Sequence, residues 1–385
     1  MMKFQLRLVV VVLVLALVAG IGLAASDTKS PYVVGVFCSA TGPNAPLGVP
    51  ERNTIMMLES QINKKGGVNG HPLKVIIEDD ATDNTTAVKA VKKLIEQDQV
   101  CALIGSSGTS QTMAALPVAV AAEVPLVSMA AGAAITNPLS KWVFRTPQTD
   151  ILAINRILTY LSEKQISKVA MIYDSNAYGT NGRDQLRKLA PGAKVSIVAE
   201  EAFATADTDM TVQLTKIRTT DAQAIICWGT NPAPAQVAKN AKQLGITIPL
   251  FMSHGVANQA FLNLAGPAAD QIILPAGKLI VASQLPGSDP RKKLLLQYAK
   301  DYEKAYNNPA DTFGGHGWDA LNIIVKALTK AGDNRAALRD EIEKTTNFAG
   351  ITGILNYTAV DHDGLTNEAF VMVQIKKGKW TLLKK

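Results

Sequence analysis

The sequence predicts an α/β protein made of two doubly wound parallel-sheet lobes. Three observations lead there. Short apolar runs alternate with segments of helical period along most of the chain, which implies parallel strands with helices on both faces. The 385 residues exceed one ordinary core. The strand–helix rhythm starts afresh after a break at 144–150, where Pro147 stiffens the chain and Asp150 can cap the next helix.

The elements follow in order. Lys3 and Arg7 flank the start of an unbroken apolar run over 8–18, and small residues over 20–26 allow cleavage near Ala24 or Ala25. That layout reads as a secretory signal over 1–25, too short to span a bilayer as a stable helix. Residues 33–37 read as a strand and 52–64 as a helix with Ile55, Leu58 and Ile62 on one face. A glycine-rich turn at 66–70 leads to a strand at 74–78. Next come a helix over 85–97, a strand at 101–104, a helix from Ser110 and a strand at 126–128. After the break, strands fall at 169–173, 195–199, 224–227 and 250–252, with helices such as 210–219 and 235–244 between them. Past residue 272 come an extended segment and helices over 290–305, 318–330 and 335–344. A hairpin of 369–375 with 380–383, turned by Lys377 and Gly378, closes the sequence. That ending implies a return to the earlier lobes rather than a third domain.

Composition is globular, at 47% hydrophobic and 18% charged. Losing Lys3 and Arg7 with the leader lowers the formal charge from +7 to +5. No block of Lys and Arg accompanies that charge, so solvated lysines account for it and nucleic acid is not an expected partner. Cys38, Cys101 and Cys227 each sit in or beside an apolar run and read as buried free thiols. No cysteine stands at the cleavage site, and no second apolar run of spanning length follows.

Ligands of open parallel sheets sit beyond the carboxyl ends of strands, so the residues after each strand carry the functional reading. The loop 105–110 follows a strand and opens a helix. Its free backbone N–H groups suit a carboxylate, and the hydroxyls of Ser107 and Thr109 add donors. Taken alone, Ser, Thr and Gly at a strand end are ordinary turn residues.

A set of motifs sharpens this. Thr41-Gly42-Pro43, Gly48, the run from Ile62 through Gly66-Gly67-Val68-Asn69-Gly70 to Leu73, and Glu78-Asp79-Asp80 resemble the opening of the branched-chain amino-acid-binding proteins of bacterial ABC importers. Val124 to Ser128, Phe144-Arg145-Thr146, Tyr178-Gly179, Gly255-Val256-Ala257-Asn258 and Gly350-Ile351-Thr352-Gly353 continue the match, in order, over nearly the whole mature chain. The resemblance implies a three-crossover hinge of the type I periplasmic binding fold. It implies one lobe of 30–146 with 276–353 and another of 147–275 with 354–385. It also implies a periplasmic monomer that binds an amino acid or related small carboxylate, docks on a membrane permease and uses no cofactor.

By the same resemblance, Thr109 stands for the family's carboxylate-binding serine, and Ala130, Ala131 and Gly132 for its second carboxylate-and-ammonium loop. Leu47, Tyr178 and Thr230 fall at side-chain pocket positions, with Trp228 close by. Three departures stand out. The family's pocket disulfide would need cysteines near Thr82 and Gly108. Gly132 stands where many relatives carry a hydroxyl. His254 stands where amino-acid binders place the carboxylate that pairs with the ligand's ammonium. A neutral imidazole offers one acceptor and a protonated one repels an ammonium, so a deaminated aromatic or branched acid fits better. A titrating His254 would also make affinity depend on pH near 6.5.

Plain structural readings stand beside these. Asp79 and Asp80 read as a capped turn, Asp207 and Asp209 as caps, and Arg145 as hinge or surface structure. His71, His316 at a glycine-rich helix start and His362 show no metal spacing. No nucleophile elbow, P-loop or dinucleotide fingerprint is present, so an enzyme built on Ser107, His254 and an Asp is the weaker reading. A ligand-sensing module for a receptor is the alternative use of the fold.

Overall fold

The computed structural model describes residues 29–383. The leader expected over 1–25 lies outside them. Strands β1 (Tyr32–Cys38), β2 (Leu73–Asp79), β3 (Ala102–Gly105), β4 (Leu126–Ser128) and β5 (Val143–Arg145) form a five-stranded parallel sheet in the order β2-β1-β3-β4-β5. Helices α1 (Ala45–Lys64), α2 (Asn84–Glu96) and α3 (Thr109–Ala121) make its crossovers. Successive strand residues reach opposite faces. Val34, Val36 and Ile104 pack into one core, and Phe37 and Leu103 into the other.

The pattern repeats with α4 (Asp150–Glu163), β6 (Lys168–Asp174), α5 (Ala177–Leu189), β7 (Ser196–Phe203), α6 (Thr211–Arg218), β8 (Ala224–Trp228), α7 (Ala233–Gln243), β9 (Leu250–Met252), α8 (Gln259–Ala265) and β10 (Ile273–Gly277). The chain then adds α9 (Lys292–Tyr306), α10 (Thr312–Ala331), α11 (Arg335–Glu343) and the small ladder β11 (Phe348–Ala349) with β12 (Ile354–Leu355). It ends in the antiparallel pair β13 (Phe370–Lys376) and β14 (Lys379–Leu382), which completes a seven-stranded sheet ordered β14-β13-β10-β9-β8-β6-β7. The fold is therefore two parallel-sheet lobes, each wound in the same order.

The chain passes between lobes three times, after β5, after β10 and before β13. The last passage falls later than the sequence implies. Residues past 353 were expected in the second lobe, but Leu355, Tyr357, Leu365 and Ala369 pack in the core of the first. Phe370 is the residue that joins the second.

Two helix starts also differ. Helix α1 begins at Ala45, seven residues before the periodic pattern, with Pro46 at its first turn and Pro50 inside it. A first-turn proline loses no bond, because that N–H has no intrahelical partner. Helix α10 begins at Thr312 rather than 318. Asp311 caps it, accepting from Phe313 N at 3.0 Å and Gly314 N at 3.1 Å. Its glycines lower helix propensity and so hide the start, but close packing requires at least one of them. A Cβ on Gly314 would fall on Tyr298 Oη. Likewise Thr149, not Asp150, caps α4, by accepting from Leu152 N at 3.1 Å.

The connection at 350–352 between β11 and β12 is tied down by Asp319 of α10, which accepts from Ile351 N at 2.6 Å and Thr352 N at 2.9 Å. Asp319→Leu leaves both buried donors unpaired, at a cost of roughly 3 kcal/mol. Urea unfolding checks this: the midpoint falls at unchanged slope, and an unmoved midpoint would show that the tether is dispensable.

Candidate functional site

The segments after β1, β3, β4, β6, β8 and β9 face one another across a cleft between the lobes. About 450 Å³ there is free of protein atoms, open solvent included. Leu47, Ser107, Thr109, Ala131, Tyr178, Thr230 and His254 line it, as the sequence reading expects of each. Three expected residues do not. Ala130 packs into the apolar core beside α3. Trp228 is fully buried on the inner face of β8, placed there by strand parity. Gly132 lies behind Thr109.

On the first lobe, α3 opens the site. No side chain caps it, so its first N–H groups have no partner within the helix. The loop before it is fixed from below. Asp80 accepts from Ser106 Oγ, and from Ser39 Oγ at 2.7 Å. Ser107 Oγ donates to Glu51 and accepts from Ser39 N at 3.1 Å. Its hydroxyl is thus committed to the scaffold, contrary to the donor role expected of it. Burial pushes the Glu51 carboxyl well above its ordinary pKa, and the bond from Ser107 only partly offsets that. Thr109 Oγ1 accepts from Gly132 N at 3.2 Å and keeps its own O–H to donate. A Cβ on Gly132 would fall on Thr109 Cγ2, so the γ-methyl of Thr109 fills the space a side chain at 132 would need.

Asp79 and Asp80 are structural, as the plain reading expects. Asp79 accepts from Ala40 N at 2.9 Å and Ala81 N at 2.8 Å. Asp209 accepts from Thr211 N at 2.9 Å at the start of α6. Cys38, Cys101 and Cys227 are buried free thiols, and burial pushes Cys101 up to about 12.

On the second lobe, His254 Nδ1 lies 3.4 Å from Tyr178 Oη, and its ring is edge-on to Phe370 at 5.2 Å. Burial, with the Arg145 charge adding to it, lowers its pKa to about 3. The ring is therefore neutral across the physiological range, and the expected titration near 6.5 does not arise. Ser107 and His254 share the cleft without a hydrogen bond between them.

Arg145 is wholly buried at the hinge. It donates to Ala131 O at 2.9 Å, Gly132 O at 2.8 Å and Asp363 Oδ1 at 2.7 Å. Asp150 N and Ile135 N take the second sites on those two carbonyls, so neither is left for a ligand. Asp150 is buried with both oxygens unpaired. Burial raises its pKa to about 8, held back by Arg145 and by Trp228 Nε1, which lies toward it without closing to a hydrogen bond.

Hydrogen bonds bridge the lobes directly, among them Thr312 Oγ1 of α10 donating to Ala257 O at 3.3 Å. Thr230 Oγ1 donates to Asn44 Oδ1 at 3.1 Å, Ala177 N to Ser110 Oγ at 3.3 Å, Ala134 N to Asn181 Oδ1 at 3.2 Å, and Asn258 Nδ2 to Pro46 O at 3.2 Å. The last has a reason inside α1. Pro50 has no N–H for the carbonyl four residues back, so Pro46 O is free to accept across the cleft.

Sequence reasoning missed Asn44, Gln111, Met129, Asn176, Phe313 and His316 on the wall. Asn44 and Asn176 look like helix-cap residues, Met129 looks like core, and Phe313 and His316 sit in the part of α10 that glycine conceals. The whole lining is neutral. Among the described residues, no Asp, Glu, Lys or Arg lines the cleft.

Two similar lobes closing on a small cleft at the carboxyl ends of their strands define a two-lobed solute-binding protein. The periplasmic binding protein family matches residues 31–379, and the chain belongs to it. A leucine-, isoleucine-, valine-, threonine- and alanine-binding protein of Pseudomonas aeruginosa is 28% identical, over 86% of each chain. An extracellular ligand-binding receptor from Rhodopseudomonas palustris HaA2 superposes with a TM-score of 0.87 at 27% identity, over 92% of this chain and all of that one. A solute-binding protein of R. palustris solved with benzoate shares the fold, with a TM-score of 0.80 at 21% identity over 92% of this chain and 96% of its own.

Two outcomes follow from the geometry. Gly132→Thr costs about 1–3 kcal/mol by overpacking, and adding Thr109→Ser recovers most of it. A thermal melt of the two single variants and the double checks this, and strict additivity would break the steric link. His254 is neutral when folded but takes a proton near 6.5 when unfolded. Stability is therefore lost as pH falls from about 6.5 toward 3. His254→Gln removes that part of the acid sensitivity in melts recorded along the series, and an unchanged pH profile would place the sensitivity elsewhere.

Proposed function

We propose that the exported, mature chain is the periplasmic receptor of an ABC importer. As a monomer it captures a small carboxylate lacking an α-ammonium between its lobes and presents the closed form to a membrane permease. One observation carries the ligand class: the neutral wall of the cleft beside the open N-terminus of α3.

An ammonium taken out of water needs a charged partner or several acceptors. The wall supplies no carboxylate, His254 is a neutral ring, and the carbonyls of Ala131 and Gly132 are already doubly bonded. A carboxylate meets the reverse conditions. The uncapped N–H groups of α3 and the helix dipole favour it without a cation, and Thr109 Oγ1 can add a donor. Leu47, Met129 and Phe313 offer apolar contact to the rest of the molecule.

A ligand that binds only the folded state raises the melting temperature by mass action. Under this reading 4-methylpentanoate and benzoate raise it and leucine, isoleucine and valine do not. A shift with the amino acids and none with the acids overturns the assignment. Thr109→Val should cost on the order of 1–3 kcal/mol of binding, read by titration calorimetry.

A further inference from the structure

Two imidazoles look into the cleft from opposite lobes. His254 follows β9, and His316 lies in the first turns of α10. They are 6% and 4% exposed. His254 Nε2 and His316 Nδ1 are buried without a hydrogen-bond partner. The rings themselves are held in place. His254 meets Phe370 and Trp228 edge-on, at 5.2 and 6.0 Å, and Phe313 meets His316 at 5.6 Å in the same way. Aromatic edges orient a ring but leave its nitrogens unsatisfied, and a buried polar atom without a partner is costly.

Resting on the carboxylate reading above, we propose that His254 and His316 form a second polar subsite of the cleft, and that the solute is a carboxylate bearing a further neutral hydrogen-bonding group, a hydroxyl or a carbonyl. The groups on the wall decide between the candidates. A second carboxylate would be buried with no cation lining the cleft, and an ammonium with no anion. Burial holds both rings neutral, and the backbone of Gln148 beside His254 and of Met129 beside His316 offsets it only in part. Two neutral imidazoles supply one acceptor or one N–H each, according to tautomer. A hydroxyl can donate to one ring and accept from the other, and a carbonyl can accept from either. The apolar body of the ligand then lies against Leu47 and Met129, between the subsite and the α3 terminus.

Titration calorimetry on the mature protein with matched acids tests this: benzoate against 4-hydroxybenzoate, 3-phenylpropanoate against 3-(4-hydroxyphenyl)propanoate, and 4-methylpentanoate against its 2-hydroxy derivative. At least one hydroxylated member binds about tenfold or more tighter than its parent. His254→Phe and His316→Phe each reduce that preference, the ratio of hydroxylated to parent affinity, to below about threefold. His254→Asn and His316→Asn, which retain a hydrogen-bonding group, keep part of the preference and cover the case in which a phenylalanine variant fails to fold. If the parent acids bind and no hydroxylated partner gains, the subsite is refuted while the carboxylate reading stands. A preference that survives in both phenylalanine variants refutes it too. If none of the acids binds, the carboxylate reading fails and takes the subsite with it.

Discussion

Closing two lobes over a small cleft removes water from every polar group on its wall, and each must then find a partner or lose free energy. Much of this structure answers that demand. Ser106, Ser107 and Ser39 are satisfied from beneath by Asp80 and Glu51. Arg145 satisfies the 131–132 loop from behind. What is left open on the wall is a short set: the first N–H groups of α3, the Thr109 hydroxyl, Gln111 Oε1, and one nitrogen each on His254 and His316. The serines beneath the cleft and the 131–132 carbonyls are paired off by the scaffold, whereas these wall groups are not.

The fold was legible because it rests on periodicity. Strands of a parallel sheet buried on both faces read as continuous apolar runs, and those at β1, β3, β6 and β8 appear in the sequence within a residue or two of their bounds. The glycine-rich run before β2 and the motif after β9 fixed the family. The site was half legible. Leu47, Thr109, Tyr178, Thr230 and His254 could be placed by the resemblance to the amino-acid-binding proteins, which maps each to a position after a strand or at a helix start. His316 could not, since its helix start is written in glycines that propensity counts against and that only close packing with α9 explains. Trp228 misled for a parity reason: at the last position of β8 its side chain must take one face of the sheet, and that face is the core. Glu51 drew no notice and Asp150 read only as a helix cap, because nothing local says that a carboxyl will be wholly buried.

Neutrality of the wall has a consequence for selectivity. A pocket that recognises charge by a countercharge binds any ion of the right sign, screened by salt. A pocket that uses oriented N–H groups and neutral rings selects by geometry and by the cost of leaving its own buried atoms unpaired. The Gly132 and Thr109 exchange illustrates the same economy of space. The chain fills the volume beside the 130–132 loop from α3 with a methyl group, and the N–H of Gly132 bonds to the Thr109 hydroxyl.

The contacts that hold the cleft shut are individually modest. Single neutral hydrogen bonds such as Thr230 to Asn44 and Asn258 to Pro46 each contribute about 1 kcal/mol net. A handful of them biases closure without fixing it, which suits a receptor: a ligand shifts an equilibrium only by its differential affinity for the two states, and a cleft already locked would admit nothing. Pro50 shows how this balance is set from within the fold. By withholding one helical N–H it leaves Pro46 O in need of a donor once the cleft excludes water, and the Asn258 side chain of the opposite lobe supplies it.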